Sequence, residues 1–322
     1  MNIKDLAKLA GVSPSTVSKA FSGSKEVSEV TKEAIIKTAK EHGCFDRYNK
    51  NKYHKKVIGV ICPEIYGDYY NATVTLINKL IEDQGDIMTI SVSNFSADKT
   101  AELFNYYASY IKTDGIIVIG DVSKVENPNF VPTVAIDNKR SKEGISSIHI
   151  NHSNAVKQAV HHLLKQGCDS IGFAGESLTR AKITTIKKIL REAGVPFEDG
   201  HIQVAPCRFE KAGIYAVEQW IKNNNMPKAI IAAYDFIAIG CIKALKENGY
   251  RVPEDVAVIG IDDVARAEYL ETPLSSVHHS INTVCRTAID ILNQKFENKY
   301  YMSGSITQLE AGFVPRKSSK KI

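Results

Sequence analysis

Apolar residues recur with helical spacing along the first forty positions. Ile3, Leu6, Ala7 and Ala10 stand at i, i+3, i+4 and i+7, which predicts one helix with one buried face. Gly11 follows, the residue type that tolerates the left-handed turn closing a helix. Ser13-Pro14 reads as an N-cap and first helical position, since the hydroxyl accepts an orphan N–H and the ring presets φ. The second helix, roughly 14–21, turns Val17 and Phe21 inward and Ser15, Ser18, Lys19 and Ser22 outward. A third starts at Ser28, carries Val30, Ala34, Ile35 and Ala39, and stops at Gly43. Two short helices joined by a glycine turn, with a third to bury them, predict a helix-turn-helix domain.

From Val57 the pattern changes to short apolar runs alternating with amphipathic stretches. Val57–Cys62 reads as a buried strand, and Met88–Val92, Gly115–Ile119 and Val134–Ile136 as a second, third and fourth strand, followed by a hairpin-like segment at 145–150. The pattern then restarts, with Ala155/Val156, Ala159/Val160 and Leu163/Leu164 on a helix and Ile171–Ala174 on a strand. Further strands are expected at Ile202–Val204, Ala229–Ala233 and Val256–Ile261. This alternation predicts an α/β body of parallel sheets, and the restart near 150 predicts two lobes.

Length and composition are those of a globular protein: 322 residues, 43% apolar and 24% charged. No apolar run approaches the ~18 residues that span a bilayer, and Met1–Asp5 has no secretory h-region. A cytoplasmic protein that touches no membrane is expected. Charge sharpens the division. The net charge is +5, but residues 1–56 hold twelve bases against six acids and the remainder is near neutral. A basic end on a neutral body suits a polyanion-binding module, the plainer reading being a solvated charged tail.

The outward face of the second helix is short, hydroxylated and basic. Ser and Thr bond phosphates or base edges, and Lys reaches guanine acceptors or phosphates, so the face suits a DNA major groove. A purely structural three-helix bundle more often carries Glu/Lys pairs there. The six cysteines show no CxxC pair and are expected as reduced, packed thiols. His161-His162 falls on a helix with no Cys or carboxylate at i+4, so no metal site is expected there or at His278-His279, and no cofactor.

In open α/β sheets a ligand sits beyond the carboxyl ends of the strands. Asp137, Asp235 and Asp262 each follow a strand. Such carboxylates accept ligand hydroxyls, but an Asp after a strand is also a common helix N-cap. Asp235, ahead of Phe236-Ile237-Ala238, is read as the cap, and Asp137 and Asp262 as ligand contacts.

The string Ile3-Lys4-Asp5-Leu6-Ala7-Lys8-Leu9-Ala10-Gly11-Val12-Ser13-Pro14-Ser15-Thr16-Val17-Ser18-Lys19 closely resembles the start of LacI/GalR-type transcription regulators. Val27-Ser28-Glu29-Val30-Thr31 is similar to that family's entry to its third helix. Asp235–Gly240, Gly249–Asp263 and Pro273–Val277 resemble its C-terminal signature, so the likeness covers essentially the whole chain. It implies a head at 1–47, a basic hinge at 48–56, and a periplasmic-binding-protein-like core at 57–316. Lobe 1 would be about 57–150 plus 279–306, lobe 2 about 151–276 plus 307–316, and 317–322 a tail.

The resemblance implies base contacts from Ser15 and Lys19, with Pro14 at a position that often carries another base-reading residue. Ser13, Thr16, Ser18 and Ser22 would hold phosphates. It implies effector contacts from Tyr69, Tyr70, Asp137, Lys182, Tyr234 and Asp262, with tyrosine faces suited to a sugar ring. Tyr69 and Tyr70 could equally be core or dimer packing.

Several positions depart from the family. Its hinge helix inserts a Leu into the minor groove, whereas here an Asn-rich segment with five bases between Gly43 and Lys56 puts Tyr53 at that place. Tyr53 is read either as a wedge or as part of a flexible basic linker. Lys182 replaces a common Arg and cannot make its planar fork. Tyr234 replaces an Asn, Asn151-His152 an Asp-Asn, and Ala155 a Gly.

The implied protein is a repressor-type, homodimeric regulator of a double-stranded DNA operator, with a small effector, a sugar or its derivative, in the cleft. Two other classes compete. A sugar-binding transport protein shares the two-lobed core but not the basic helix-turn-helix. An α/β enzyme would need a GxSxG elbow, a phosphate-cradling GxxxxGK[ST] or a metal-spaced cluster, and the sequence carries none.

Overall fold

The computed structural model describes residues 1–22, 24, 26–45, 48, 55–196, 198–297 and 304–320. They divide into two compact units, Met1–Val57 with Gly85–Ile87, and the rest of the chain.

The first unit holds α1 (Ile3–Leu9), α2 (Pro14–Phe21) and α3 (Glu29–Glu41). Each start is fixed by a side-chain cap. Asn2 and Asp5 form a reciprocal capping box on α1. The Ser13 and Ser28 hydroxyls accept from the Thr16 and Thr31 N–H groups at 3.1 and 3.2 Å. Gly11 and Gly43 end α1 and α3 with φ of +65° and +62°. Leu6, Val17 and Ile35 meet in a fully buried core, with Phe21 packed against the Phe45 and Tyr48 rings.

The apolar residues of α3 do not all share one face. Val30 is 78% exposed and Ala34 is also exposed; only Ile35 and Ala39 turn inward. Val30 precedes Ile35 by five residues, about 140° around the helix, and so lies off the buried row.

The second unit contains two six-stranded sheets. The first has the order β11-β5-β4-β3-β1-β2, all parallel. It uses β1 (Val57–Cys62), β2 (Ile87–Val92), β3 (Gly115–Ile119), β4 (Thr133–Ile136), β5 (Ile145–Asn151) and β11 (Ile306–Glu310). Its helices are α4 (Asp68–Asp83), α5 (Ala97–Asn105) with a π-helical extension to Ile111, and α10 (Ile281–Glu297).

The second sheet has the order β12-β10-β9-β8-β6-β7, parallel except for β12. It uses β6 (Ile171–Glu176), β7 (Ile202–Ala205), β8 (Ala229–Ala232), β9 (Ala257–Asp262), β10 (Ser275–His278) and β12 (Gly312–Val314). It carries α6 (Ser153–Lys165), α7 (Arg180–Glu192), α8 (Glu210–Lys222) and α9 (Asp235–Glu247). Among the described residues no helix is long and apolar enough to cross a membrane.

Three sequence expectations are corrected here. The segment at 145–150 is no hairpin: it is β5, parallel to both β4 and β11, and only the Lys142–Ile145 bridge remains of a tight turn. The last crossing between lobes does not fall at 306/307, because β11 stays paired with β5 up to Glu310. Residues 317–320 are no loose tail. Ser318 and Ser319 are fully buried, and the Ser318 hydroxyl donates to the Val258 carbonyl at 2.6 Å.

Helices α8 and α9 pack backbone to backbone. A Cβ on Gly213 would lie 2.0 Å from the Ile237 carbonyl oxygen, and one on Gly240 would lie 2.0 Å from that of Glu210. Glycine is required at that crossing. All six cysteines are free thiols, five of them buried.

Candidate functional site

Two surfaces carry functional chemistry. On the head, Ser13, Pro14, Ser15, Ser18, Lys19 and Ser22 are exposed on α2 and at its ends, while Thr16 is half-buried. The Ser13 hydroxyl is committed locally, capping α2 and bonding the Ser15 and Thr16 hydroxyls at 2.7 and 2.8 Å. Lys19 pairs with Glu26 at 2.5 Å, and both side chains remain largely exposed, so a phosphate or base edge can compete for the ammonium. Tyr53, the expected wedge, lies outside the described residues.

In the core a cavity of about 720 Å³ opens between the lobes, the size of a small-molecule site. All six expected effector residues line it: Tyr69, Tyr70, Asp137, Lys182, Tyr234 and Asp262. Asp137 directly follows β4 and Asp262 ends β9, with φ of +59° and +104°. Burial, reinforced by Asp137 and opposed by Lys182, pushes the Asp262 carboxyl up to about 6. Lys182, on α7, donates to the Ala233 carbonyl at 2.7 Å. Burial and the charges of Asp137 and Asp262 push the Tyr70 phenol up, so it stays neutral.

Asp235 is not the helix cap. Tyr234 holds that position and Asp235 is the first residue of α9, fully buried. Its carboxyl accepts from the Val264 N–H at 2.7 Å and the Ser276 hydroxyl at 2.6 Å, tying α9 to the exit of β9 and to β10. Burial, then Asp262, holds its affinity for a proton well above the usual carboxylate range. It also lines the cavity.

Sequence reasoning missed several cavity residues. His149, His152 and His279 line it, with the His279 ring in edge-on contact with Tyr69 at 5.2 Å and His152 at 5.4 Å. Burial and then Lys182 push His152 down to about 3 and His279 down to about 4, so both imidazoles are neutral at physiological pH. The Tyr69 hydroxyl, His152 Nε2 and both His279 ring nitrogens are buried without a hydrogen-bond partner among the described residues. Buried polar atoms of this kind carry unused bonding capacity.

Arg208 was also missed. It forks onto Glu64 at 2.7 and 3.1 Å and donates through Nε to Glu176 at 3.1 Å. The only available signal for His279 was its place in a His-His pair just after a strand, and Arg208 had none.

Comparison with known proteins joins these two surfaces. Residues 2–44 match the bacterial regulatory proteins of the lacI family, and residues 160–319 match a periplasmic binding protein-like domain. The chain belongs to the LacI family. It is a DNA-binding transcriptional regulator.

This LacI-family chain is 27% identical to catabolite control protein A of Priestia megaterium, over 99% of both chains. It is 25% identical to the transcriptional repressor CytR of Escherichia coli K12, covering 94% of this chain and 92% of that one. The fold is similar to that of the lac repressor dimer bound to operator and the anti-inducer ONPF, with a TM-score of 0.75 and 20% identity over 100% of this chain and 99% of that one. The CelR–cellobiose complex gives a TM-score of 0.67 and 21% identity over 99% of each chain.

Proposed function

We propose that this LacI-family regulator is a homodimeric repressor whose operator affinity is set by a carbohydrate in the interlobe cavity. In this reading residues 1–47 are the operator-reading head and 48–56 the basic hinge. Ser15 and Lys19 contact bases, and Ser13, Thr16, Ser18 and Ser22 contact phosphates, with Pro14 among them. Tyr53 is assigned to the hinge contact with DNA. Two heads related by a dyad suit half-sites about one helical turn apart.

The observation that carries the effector reading is the convergence of Tyr69, Tyr70, Asp137, Lys182, Tyr234 and Asp262 on one cavity. Asp137 and Asp262 accept hydroxyls, Lys182 donates, and the tyrosine faces cover apolar ring surface. The similarly folded CelR, whose structure holds cellobiose, supports the carbohydrate class. Effector that binds one closure state of the lobes better than the other shifts operator affinity by that difference.

A thermal-shift screen of sugars and sugar phosphates tests this. A ligand at 100 times its Kd stabilises the fold by about 2.7 kcal/mol. One carbohydrate should raise the Tm of the wild type and not of Asp262→Ala. If no carbohydrate does so, the effector reading fails, and a regulator of the same type that is controlled by a protein partner or lacks an effector replaces it.

A further inference from the structure

The loop that follows β1 and the first residue of α4 reach from lobe 1 to lobe 2 through three side chains. Glu64 accepts the Arg208 fork. Tyr66 packs against Phe209, with ring centroids 5.2 Å apart. Asp68 holds Arg266 at 2.9 and 3.0 Å. Glu176 is buried and Glu64 largely so, while the Arg208 side chain is 35% exposed, so solvent screens these pairs only in part.

The lobe-2 side is built to present that guanidinium. Arg208 is stacked between the Phe95 ring of lobe 1 and the Phe209 ring of lobe 2, at 5.1 and 4.5 Å. Phe209 sits at φ +59°, ψ −142°, a conformation that non-glycine residues avoid. Its N–H donates to the Tyr234 hydroxyl oxygen at 3.1 Å, and that hydroxyl donates to Glu176 at 2.8 Å. Glu176 in turn accepts Arg208 Nε. A strained turn held by such a network aims one cation at the opposite lobe.

We propose that Arg208 is a positioning residue of the regulator: with Glu64, and with Arg266–Asp68 beside it, it clasps the two lobes closed through the chain's own side chains. Closure then has a basal setting that no effector is needed to create, and an effector acts by adding to it or working against it. A planar guanidinium is essential, since one ammonium cannot fork onto Glu64 while bonding Glu176. The consequence for control rests on the effector reading above, whereas the clasp does not.

Small-angle X-ray scattering of the full-length protein, with no small molecule added, tests the clasp. Glu64→Gln and Arg208→Ala should each increase the radius of gyration, and Glu64→Gln/Asp68→Asn should increase it more than either single change. Asp68→Lys should increase it too, and adding Arg266→Glu should return it to the wild-type value. An Arg208 that merely braced lobe 2 would leave the Glu64→Gln scattering unchanged. That result, or failure of the charge swap to restore the wild-type radius in a folded protein, overturns the proposal. Glu64→Gln, on the opposite lobe, carries the test if Arg208→Ala does not fold. Lack of any carbohydrate ligand would refute the effector reading and leave these measurements unaffected.

Discussion

Asp235 offers the sharpest test of how the cavity floor is held. Asp235→Ala leaves the buried Val264 N–H without its acceptor and the buried Ser276 hydroxyl with only the Val277 carbonyl, at a long 3.5 Å. Each orphaned group costs about 1–3 kcal/mol, so the variant should lose about 2–5 kcal/mol, reduced somewhat by removing a carboxyl that burial disfavours. Asp235→Asn keeps a carbonyl oxygen of the same shape and should lose only part of that. The gap at Gly260 leaves no room for larger adjustment, since a Cβ there would sit 2.0 Å from the Asp235 carboxyl oxygen. The pH dependence follows from the raised proton affinity of Asp235 in the folded state. Above about pH 4 the unfolded chain releases that proton while the fold retains it. The advantage of wild type over Asp235→Asn should therefore be largest in acid and narrow as pH rises toward the folded value. Urea unfolding of both variants and the wild type across pH measures all three quantities. Equal midpoints for Asp235→Ala and wild type, or an advantage that grows with pH, would refute the reasoning.

Three further outcomes follow from particular residues. Lys19→Ala should weaken specific operator binding by roughly tenfold to a hundredfold or relax its specificity, read by fluorescence anisotropy; no change in either removes Lys19 from the recognition surface. Because Asp262 titrates at about 6, affinity for a ligand whose hydroxyl donates to its carboxylate should fall as pH drops through that value, measured by calorimetry. A flat profile between pH 5 and pH 8 would mean that the ligand does not use the ionised carboxylate. Gly240→Ala should cost about 3 kcal/mol or more, because the added methyl meets backbone that cannot yield, and a Tm near wild type would contradict the close crossing of α8 and α9.

Local signals were the legible part of this chain. The caps at Ser13 and Ser28, the glycine stops and the i, i+3, i+4 rows determine helix ends within a few residues of each other, and the sequence carries them openly. Non-local pairing was harder to read. β5 is stabilised by β11, about 160 positions further along, so its own seven residues could not distinguish a parallel strand from a hairpin. The same holds for the cavity. Single residues after strands, such as Asp137 and Asp262, follow from the α/β architecture. Arg208 acquires its role only from Glu64, 144 positions away, and Asp235 from Val264 and Ser276. Val30 is the converse case, an apolar side chain on the third helix whose helical angle, off the Ile35–Ala39 row, turns it outward.

The regulator account stands or falls on DNA. Full-length protein should be used to select duplexes from a random pool, with the bound fraction followed as salt is raised. The account predicts one enriched motif with dyad symmetry and half-sites about one helical turn apart, with affinity falling steeply as salt rises. Recovery of no common motif, or binding indifferent to salt, would contradict it.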